Sequence, residues 1–282
     1  MKRVATIQDI SCIGKCSLTV ALPIISAMGT ETAIVPTAVL STHTMFSDFT
    51  FLDLTDEIKP IAEHWKKEGF VFDAVYTGYL GSVRQVGIVS DFIDTFRTKN
   101  NMIFVDPAMA DNGCLYKGFD DAFVKEMAKL CGKADVIVPN ITEASFMLGE
   151  EYIAEGYGED YVKNMLIKLC GLGCRRAILT GVSYEPDKIG AVIYDSEKKE
   201  FYSYFNEKIP YMSHGTGDIF ASVCVGGMVR GLDILKAVSL AADYTAECIR
   251  LNYNDKNSIR YGVDFETKIP YLIKRLEEES DK

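Results

Sequence analysis

Short runs of β-branched and apolar residues recur along this chain, at Val4–Ile7, Thr32–Val39, Ala74–Thr77, Met102–Val105, Val136–Val138 and Ala177–Thr180. Between them lie stretches of helical periodicity, such as Leu18, Ala21, Leu22, Ile25 and Met28, or Phe123, Met127 and Leu130. Strands that alternate with amphipathic helices need crossover connections, which set the strands parallel and lay helices over both faces of one sheet. The pattern therefore predicts an α/β chain with a mainly parallel, doubly wound sheet. After Thr180 the rhythm changes. Gly190–Tyr194 and Glu200–Phe205, joined by the charged turn Asp195 to Lys199, read as an antiparallel hairpin at the sheet edge. Helices are expected over Thr216–Arg230, Asp233–Leu251 and about Phe265–Glu279. With 282 residues, 48% of them hydrophobic, and no long polar linker or internal repeat, residues 1–282 are expected to form one domain.

A net charge of -10 offers no basic stripe for nucleic acid or an anionic membrane. The eight cysteines are scattered, Cys12/Cys16 and Cys170/Cys174 are spaced CxxxC, and only three histidines accompany them, so no zinc signature emerges and the thiols read as reduced core residues. Val4–Ile7 follows the N-terminus directly, without a signal-peptide apolar segment, and the apolar run Ile219–Val229 is too short to span a bilayer. A cytoplasmic location is the expectation.

Gly215-Thr216-Gly217-Asp218, followed by Ile219–Val225, carries the strongest chemical signal. Two glycines leave backbone N–H groups bare at a helix N-terminus, Thr216 can cap it, and Asp218 falls in the first turn. Unpaired donors and the helix dipole suit a transferring phosphoryl group, and Asp218 can take the proton of an attacking hydroxyl. A plain helix start after a glycine turn is the alternative. Polar and glycine-rich motifs also follow the predicted strands: Gln8-Asp9, Ser41-Thr42-His43-Thr44, Gly78 to Ser82, Asp106 to Met109, Pro139 to Glu143, and Thr180-Gly181. In open parallel sheets these carboxyl ends bind ligands.

Gly14-Lys15 hints at a P-loop, but Asp9 occupies the position of the first required glycine and Cys16 that of the magnesium-binding Ser/Thr; no GxGxxG follows strand one either. The ordered set Gly78-Tyr79-Leu80-Gly81-Ser82, Asp106-Pro107-Ala108-Met109, Pro139-Asn140 with Glu143, Thr180 and Gly215-Thr216-Gly217-Asp218 instead resembles the ribokinase superfamily, and within it the vitamin B6 (pyridoxal/pyridoxine/pyridoxamine) kinases. The likeness runs from Arg3 to about Ile249. It implies a ribokinase-like three-layer α/β/α fold, ATP and Mg²⁺ as cofactors, a B6 vitamer as substrate and a homodimer, and it leaves open a K⁺ requirement.

The resemblance implies that Asp218 is the general base, with Gly215, Thr216 and Gly217 forming the anion hole under the γ-phosphoryl group. It implies that Asp106 and Glu143 organise Mg²⁺, largely through water, and that Asn140 and Thr180, with Glu143, Thr216 and Gly217, contact the nucleotide. Helix-terminal and turn chemistry is the alternative for Glu143 and Asp106, and capping for Asn140 and Thr180.

For the substrate, Gly78-Tyr79-Leu80-Gly81-Ser82 is similar to the B6 kinases, making Tyr79 a ring-binding candidate, and Ser41 to Thr44 resembles their substrate loop, with His43 and Thr44 as contacts. Asp9 stands where B6 kinases often carry Ser and resembles the hydroxymethylpyrimidine kinases of thiamine synthesis. A carboxylate there accepts a hydrogen bond from a protonated ring nitrogen or a ring hydroxyl, so both readings stand. A sugar or nucleoside kinase and a non-catalytic sensor are further alternatives; the span from Gln8 to Gly29 has no room for the β-sheet lid of sugar kinases, and Asp218 and its glycines are intact. His43 also reads as an ordinary polar loop residue, as does His214. Asp106 to Cys114 is rich in turn formers and suits a mobile lid. Cys114 reads either as an unreactive cysteine there or, if it meets His214 across a bound ring, as a thiol able to add to the pyridoxal aldehyde.

Overall fold

The computed structural model describes residues 1–211, 213–255 and 261–280. β1 (Arg3–Ile13), β2 (Glu31–Thr42), β4 (Ala74–Thr77), β5 (Met102–Val105), β8 (Val136–Ile137) and β9 (Arg176–Val182) form the parallel part of the sheet. β3 (Phe51–Asp53) adds antiparallel to β2, and the hairpin β10 (Lys188–Asp195)–β11 (Glu200–Glu207) adds antiparallel to β9. The nine-stranded order is β11-β10-β9-β8-β5-β4-β1-β2-β3. This is the three-layer fold that the alternation of strands and helices predicts.

Alternation along the strands builds the layers, because successive side chains leave opposite faces of a sheet. Val75 and Val105 join one apolar cluster with α2 (Thr55–Lys67), α3 (Val83–Phe96), α4 (Asp121–Gly132), α5 (Ile141–Leu148) and α6 (Glu159–Gly171). Tyr76 and Phe104 join the other, with α1 (Leu18–Ala27), α7 (Thr216–Val229), α8 (Ile234–Asn254) and α9 (Ile269–Ser280). β1 pairs with β2 on one side and β4 on the other, so the chain reverses its direction of travel across the sheet there. Such a switch point opens a crevice at the strand carboxyl ends.

Three segments differ from the sequence expectation. Gln8-Asp9 and Ser41-Thr42 are not loops: β1 and β2 stay paired to Ile13 and Thr42, with a register shift between Gln8 and Ile10. The polar residues sit inside a strand because local bonds satisfy them; Gln8 Nε2 donates to Thr6 Oγ1 and Ser11 Oγ to Asp9. The stretch expected to be an irregular lid contains a small hairpin, β6 (Ala110–Asp111) and β7 (Cys114–Leu115), turned at Asn112-Gly113 with φ of 50° and 77°. Positive φ at both central residues matches the strand twist of a two-residue hairpin. Third, the C-terminal helix starts with a 3₁₀ turn over Glu266–Lys268.

The edge hairpin is fastened by Asp195, which is 1% exposed. It accepts from Arg176 Nε at 2.7 Å and from the N–H groups of Glu197 and Lys198 at 3.0 and 3.1 Å. Burial pushes its carboxyl up, but the Arg176 guanidinium and the turn amides outweigh this and hold its pKa below the ordinary value. A depressed folded-state pKa stabilises above the unfolded value, and that contribution disappears as pH falls through the folded one. Asp195→Asn is expected to cost roughly 1.5–3 kcal/mol at neutral pH, the range for hydrogen bonds to charged groups. Urea midpoints at pH 7 should show the deficit, and it should shrink below pH 3.8; a constant deficit would mean that the charge is not what matters.

Candidate active site

The site is assembled where the loop after β1 meets the first turn of α7. Gly215 is the N-cap of α7, in the left-handed region with φ of 78°, and no side chain caps the helix. Thr216 is therefore the first helical residue and does not act as the cap. A Cβ on Gly215 would fall 1.7 Å from the carbonyl oxygen of Lys15, so backbone conformation and space both demand glycine there. The amides of the first α7 turn have no partner within the helix and no capping oxygen, which leaves their donors and the positive dipole end facing the rim.

Asp218 lies half-buried in that first turn, beside the backbone amide of Ser17, which favours its charged form. Burial raises its pKa to about 7, with the Ser17 amide opposing and Asp9 reinforcing the rise. Ser17 holds φ of 52° and ψ of -134°, an uncommon conformation for a residue with a Cβ, at the N-cap of α1. Strain of this kind persists where the surroundings over-determine it, often at functional sites.

Around Asp218 the structure gathers other acidic groups. Asp9 is 5% exposed in β1, its pKa raised by burial and eased by the Ser17 and Ser11 hydroxyls. Tyr79, at the end of β4, lies close enough to Asp9 that burial and that charge raise its phenol to about 12; its ring centroid is 5.6 Å from that of Phe119. Asp106 follows β5 and is driven up first by burial and then by Asp218. Glu143 is driven up by burial and by Asp106, against three backbone amides that favour its charge. Asp9, Asp218, Asp106 and Glu143 thus form one connected acidic line along the crevice.

Asn140 and Glu143 form a capping box on α5: Asn140 Oδ1 accepts from Glu143 N at 2.9 Å and Glu143 Oε2 from Asn140 N at 2.8 Å. Glu143 Oε1 also accepts from Met109 N at 3.1 Å, and Asn140 Nδ2 donates to Ala110 O at 2.9 Å. The alternative of helix-terminal chemistry is therefore realised, and it ties the β6–β7 hairpin to the acidic line. Thr180, inside β9 rather than after it because the pairing with β10 continues to Val182, bridges to Asn140, and its amide donates to Pro139 O at 2.9 Å.

His43 is buried, and backbone groups engage both ring nitrogens: Nδ1 accepts from Met45 N at 3.2 Å and Nε2 faces Tyr261 O at 2.9 Å. That arrangement is met by the neutral ring, and burial, aided by His214, lowers its pKa. Thr44 is exposed in the following turn. His214 stacks toward His43 at 5.6 Å between centroids, while Cys114 is exposed on β7, in register with Asp111. Sequence reasoning missed Ser17, whose backbone amide is its contribution, and Tyr116, whose phenol burial and nearby Glu143 push up. The N-x-x-E spacing of Asn140 and Glu143 did signal the capping box.

The sequence profile of the phosphomethylpyrimidine kinase family matches residues 22–262. A phosphomethylpyrimidine kinase candidate from Bacteroides thetaiotaomicron, crystallised with pyridoxal, superposes with a TM-score of 0.91 at 41% identity, covering 96% of this chain and 95% of that one. Pyridoxal kinase from Lactobacillus plantarum gives 0.88 at 28% identity over 99% of both chains. The hydroxymethylpyrimidine/phosphomethylpyrimidine kinase of Aquifex aeolicus is 27% identical over 215 residues, 75% of this chain and 76% of that one.

A base with a raised folded-state pKa favours folding below its unfolded value and loses that contribution as pH rises toward about 7. Asp218→Asn is therefore expected to be more stable than the wild type at pH 8, on the order of 2 kcal/mol after allowance for partial exposure, and equal to it near pH 4. Melting temperatures at the two pH values check this. A variant less stable at pH 8 would show that Asp218 is not a strained, desolvated carboxylate.

Proposed function

This chain belongs to the phosphomethylpyrimidine kinase family of small-molecule kinases, and we propose that it transfers the γ-phosphoryl group of ATP to the 5'-hydroxymethyl of pyridoxal, pyridoxine or pyridoxamine. The observation that carries this reading is the uncapped N-terminus of α7 with a half-buried carboxylate in its first turn. The amides of Gly215, Thr216 and Gly217 suit the phosphoryl oxygens, where charge spreads in a loose transition state stabilised mainly by fixed donors. Asp218 accepts the hydroxymethyl proton, and a pKa of about 7 matches a base working near neutrality. Asn140 and Thr180 are candidates for the nucleotide phosphates at the neighbouring strand ends.

Asp106 and Glu143 suit Mg²⁺. Each is buried, Asp106 raises Glu143 and Asp218 raises Asp106, so a divalent cation would offset the repulsion. Both oxygens of Glu143 already accept backbone amides, which favours contact through water. Two carboxylates suffice for such a role, since magnesium takes few protein ligands and keeps much of its hydration. Bound there, the cation would neutralise charge on the transferring phosphates.

For the substrate, Asp9 and Tyr79 face the β1–β4 crevice, and the Gly78–Ser82 run and the pyridoxal-bound Bacteroides relative favour a B6 vitamer. Asp9, the matched family and the Aquifex relative favour hydroxymethylpyrimidine or its phosphate as the second reading. No helix among the described residues is long and apolar enough to cross a membrane; a cytoplasmic location is proposed from the sequence reading and a homodimer from family resemblance alone.

An ADP-release assay across pyridoxal, pyridoxine, pyridoxamine, hydroxymethylpyrimidine, its phosphate and ribose tests the assignment. The vitamers are expected to lead in kcat/KM, and Asp9→Ser to shift preference among them while keeping activity; a pyrimidine that outpaces every vitamer would select the second reading. Asp218→Asn should lower kcat by ~10²- to 10⁴-fold with ATP binding preserved, the usual worth of general base catalysis. Near-normal turnover would remove Asp218 from the mechanism.

A further inference from the structure

Gly14-Lys15 resembles a phosphate-binding loop without being one, and the structure gives Lys15 another task. Its Nζ pairs with Asp264 and, at 2.8 Å, with Glu266, and lies 5.9 Å from the centre of the Phe265 ring. Its stem runs so close to Gly262 that a Cβ there would fall 2.5 Å from Lys15 Cβ. The same residue's carbonyl abuts Gly215 at the head of α7. Two positions further on, the Ser17 amide lies near enough to Asp218 to favour its charge. The segment over Tyr261–Glu266 is itself anchored: Asp264 N donates to Asn252 Oδ1 at 2.8 Å, and Tyr261 O faces His43 Nε2 at 2.9 Å.

We propose that Lys15 is a positioning residue through which the 261–266 segment holds the β1–α1 loop against α7 and so fixes Asp218 and the Gly215 amide for transfer. The side chain's charge is taken up by Asp264 and Glu266. It is clasped from the C-terminal side while its backbone presses on the anion hole, so a displacement of the clasp reaches the base through two peptide units. This rests on the reading of Asp218 as the base. The charged and titratable groups facing Asp218 are Asp9 from β1, Cys16 from the loop, Tyr76 from β4, Asp106 after β5 and Tyr116 after β7. None of them is altered when the clasp is cut at Asp264 and Glu266.

The test is the double variant Asp264→Asn/Glu266→Gln, with Lys15→Met and Lys15→Arg alongside. With the fold retained by circular dichroism, the double variant and Lys15→Met are expected to lower kcat about tenfold or more, because small misplacements of a catalytic group are costly. KM for ATP should stay within about twofold, since bulk nucleotide binding does not depend on the clasp. Loss of the Ser17 amide from beside Asp218 should move the acid limb of the kcat/KM profile to higher pH. Lys15→Arg, which keeps both ion pairs, should restore the wild-type profile. Hydrogen exchange at the Ser17 amide gives a readout independent of activity: it should accelerate in the double variant and not in Lys15→Arg. Unchanged exchange and an unchanged pH profile in folded variants would overturn the clasp. An inactive wild type with accelerated Ser17 exchange in the variants would instead fail the kinase reading and leave the clasp standing.

Discussion

The close approach of Gly215 to the Lys15 carbonyl is the contact on which the site depends. Neither backbone can retreat: Gly215 begins a helix buried along most of its length in the core, and Lys15 leads into α1, which packs on the same face. A left-handed glycine lets the two meet, and their meeting brings the Ser17 amide beside Asp218. The cost appears as strain at Ser17 and as a carboxyl held far above its ordinary pKa. Residues under such constraint lower stability and are retained where chemistry needs a preset geometry.

The acidic line from Asp9 to Glu143 shows the same logic on a larger scale. Four carboxyls line up with no arginine or lysine bonded to them among the described residues. Their repulsion is eased by hydroxyls and backbone amides, which leaves the site poised for phosphates carried with a cation. The uncapped N-terminus of α7 supplies the opposite polarity next to Asp218, which lies in its first turn. On the proposed reading, an acidic protein would thereby take up a polyanionic cosubstrate through helix-end donors and a cation.

Much of this was legible in the sequence, because burial on alternating faces writes itself as period-two strands and period-3.6 helices. Ala74–Thr77 and Met102–Val105 appear with the bounds that their apolar runs suggest. The ends of β1 and β2 were illegible because Gln8, Asp9 and Ser11 look like loop residues until their bonding partners are known. The β6–β7 hairpin was announced by Asn112-Gly113, but strands two residues long carry no period. Gly215 to Asp218 was readable as a helix entrance with a base. The Ser17 amide was not, since a backbone group has no signature, and Lys15 finds its carboxylates 249 and 251 positions away.

The most direct measurement is a crystal structure with a non-hydrolysable ATP analogue, Mg²⁺ and pyridoxine. The account places the γ-phosphate oxygens within hydrogen-bond reach of the Gly215 to Gly217 amides, and the 5'-hydroxymethyl oxygen against the Asp218 carboxylate at about 2.6–3.2 Å. A γ-phosphate bound elsewhere on the rim, or a hydroxymethyl turned away from Asp218 with the nucleotide in place, would contradict it.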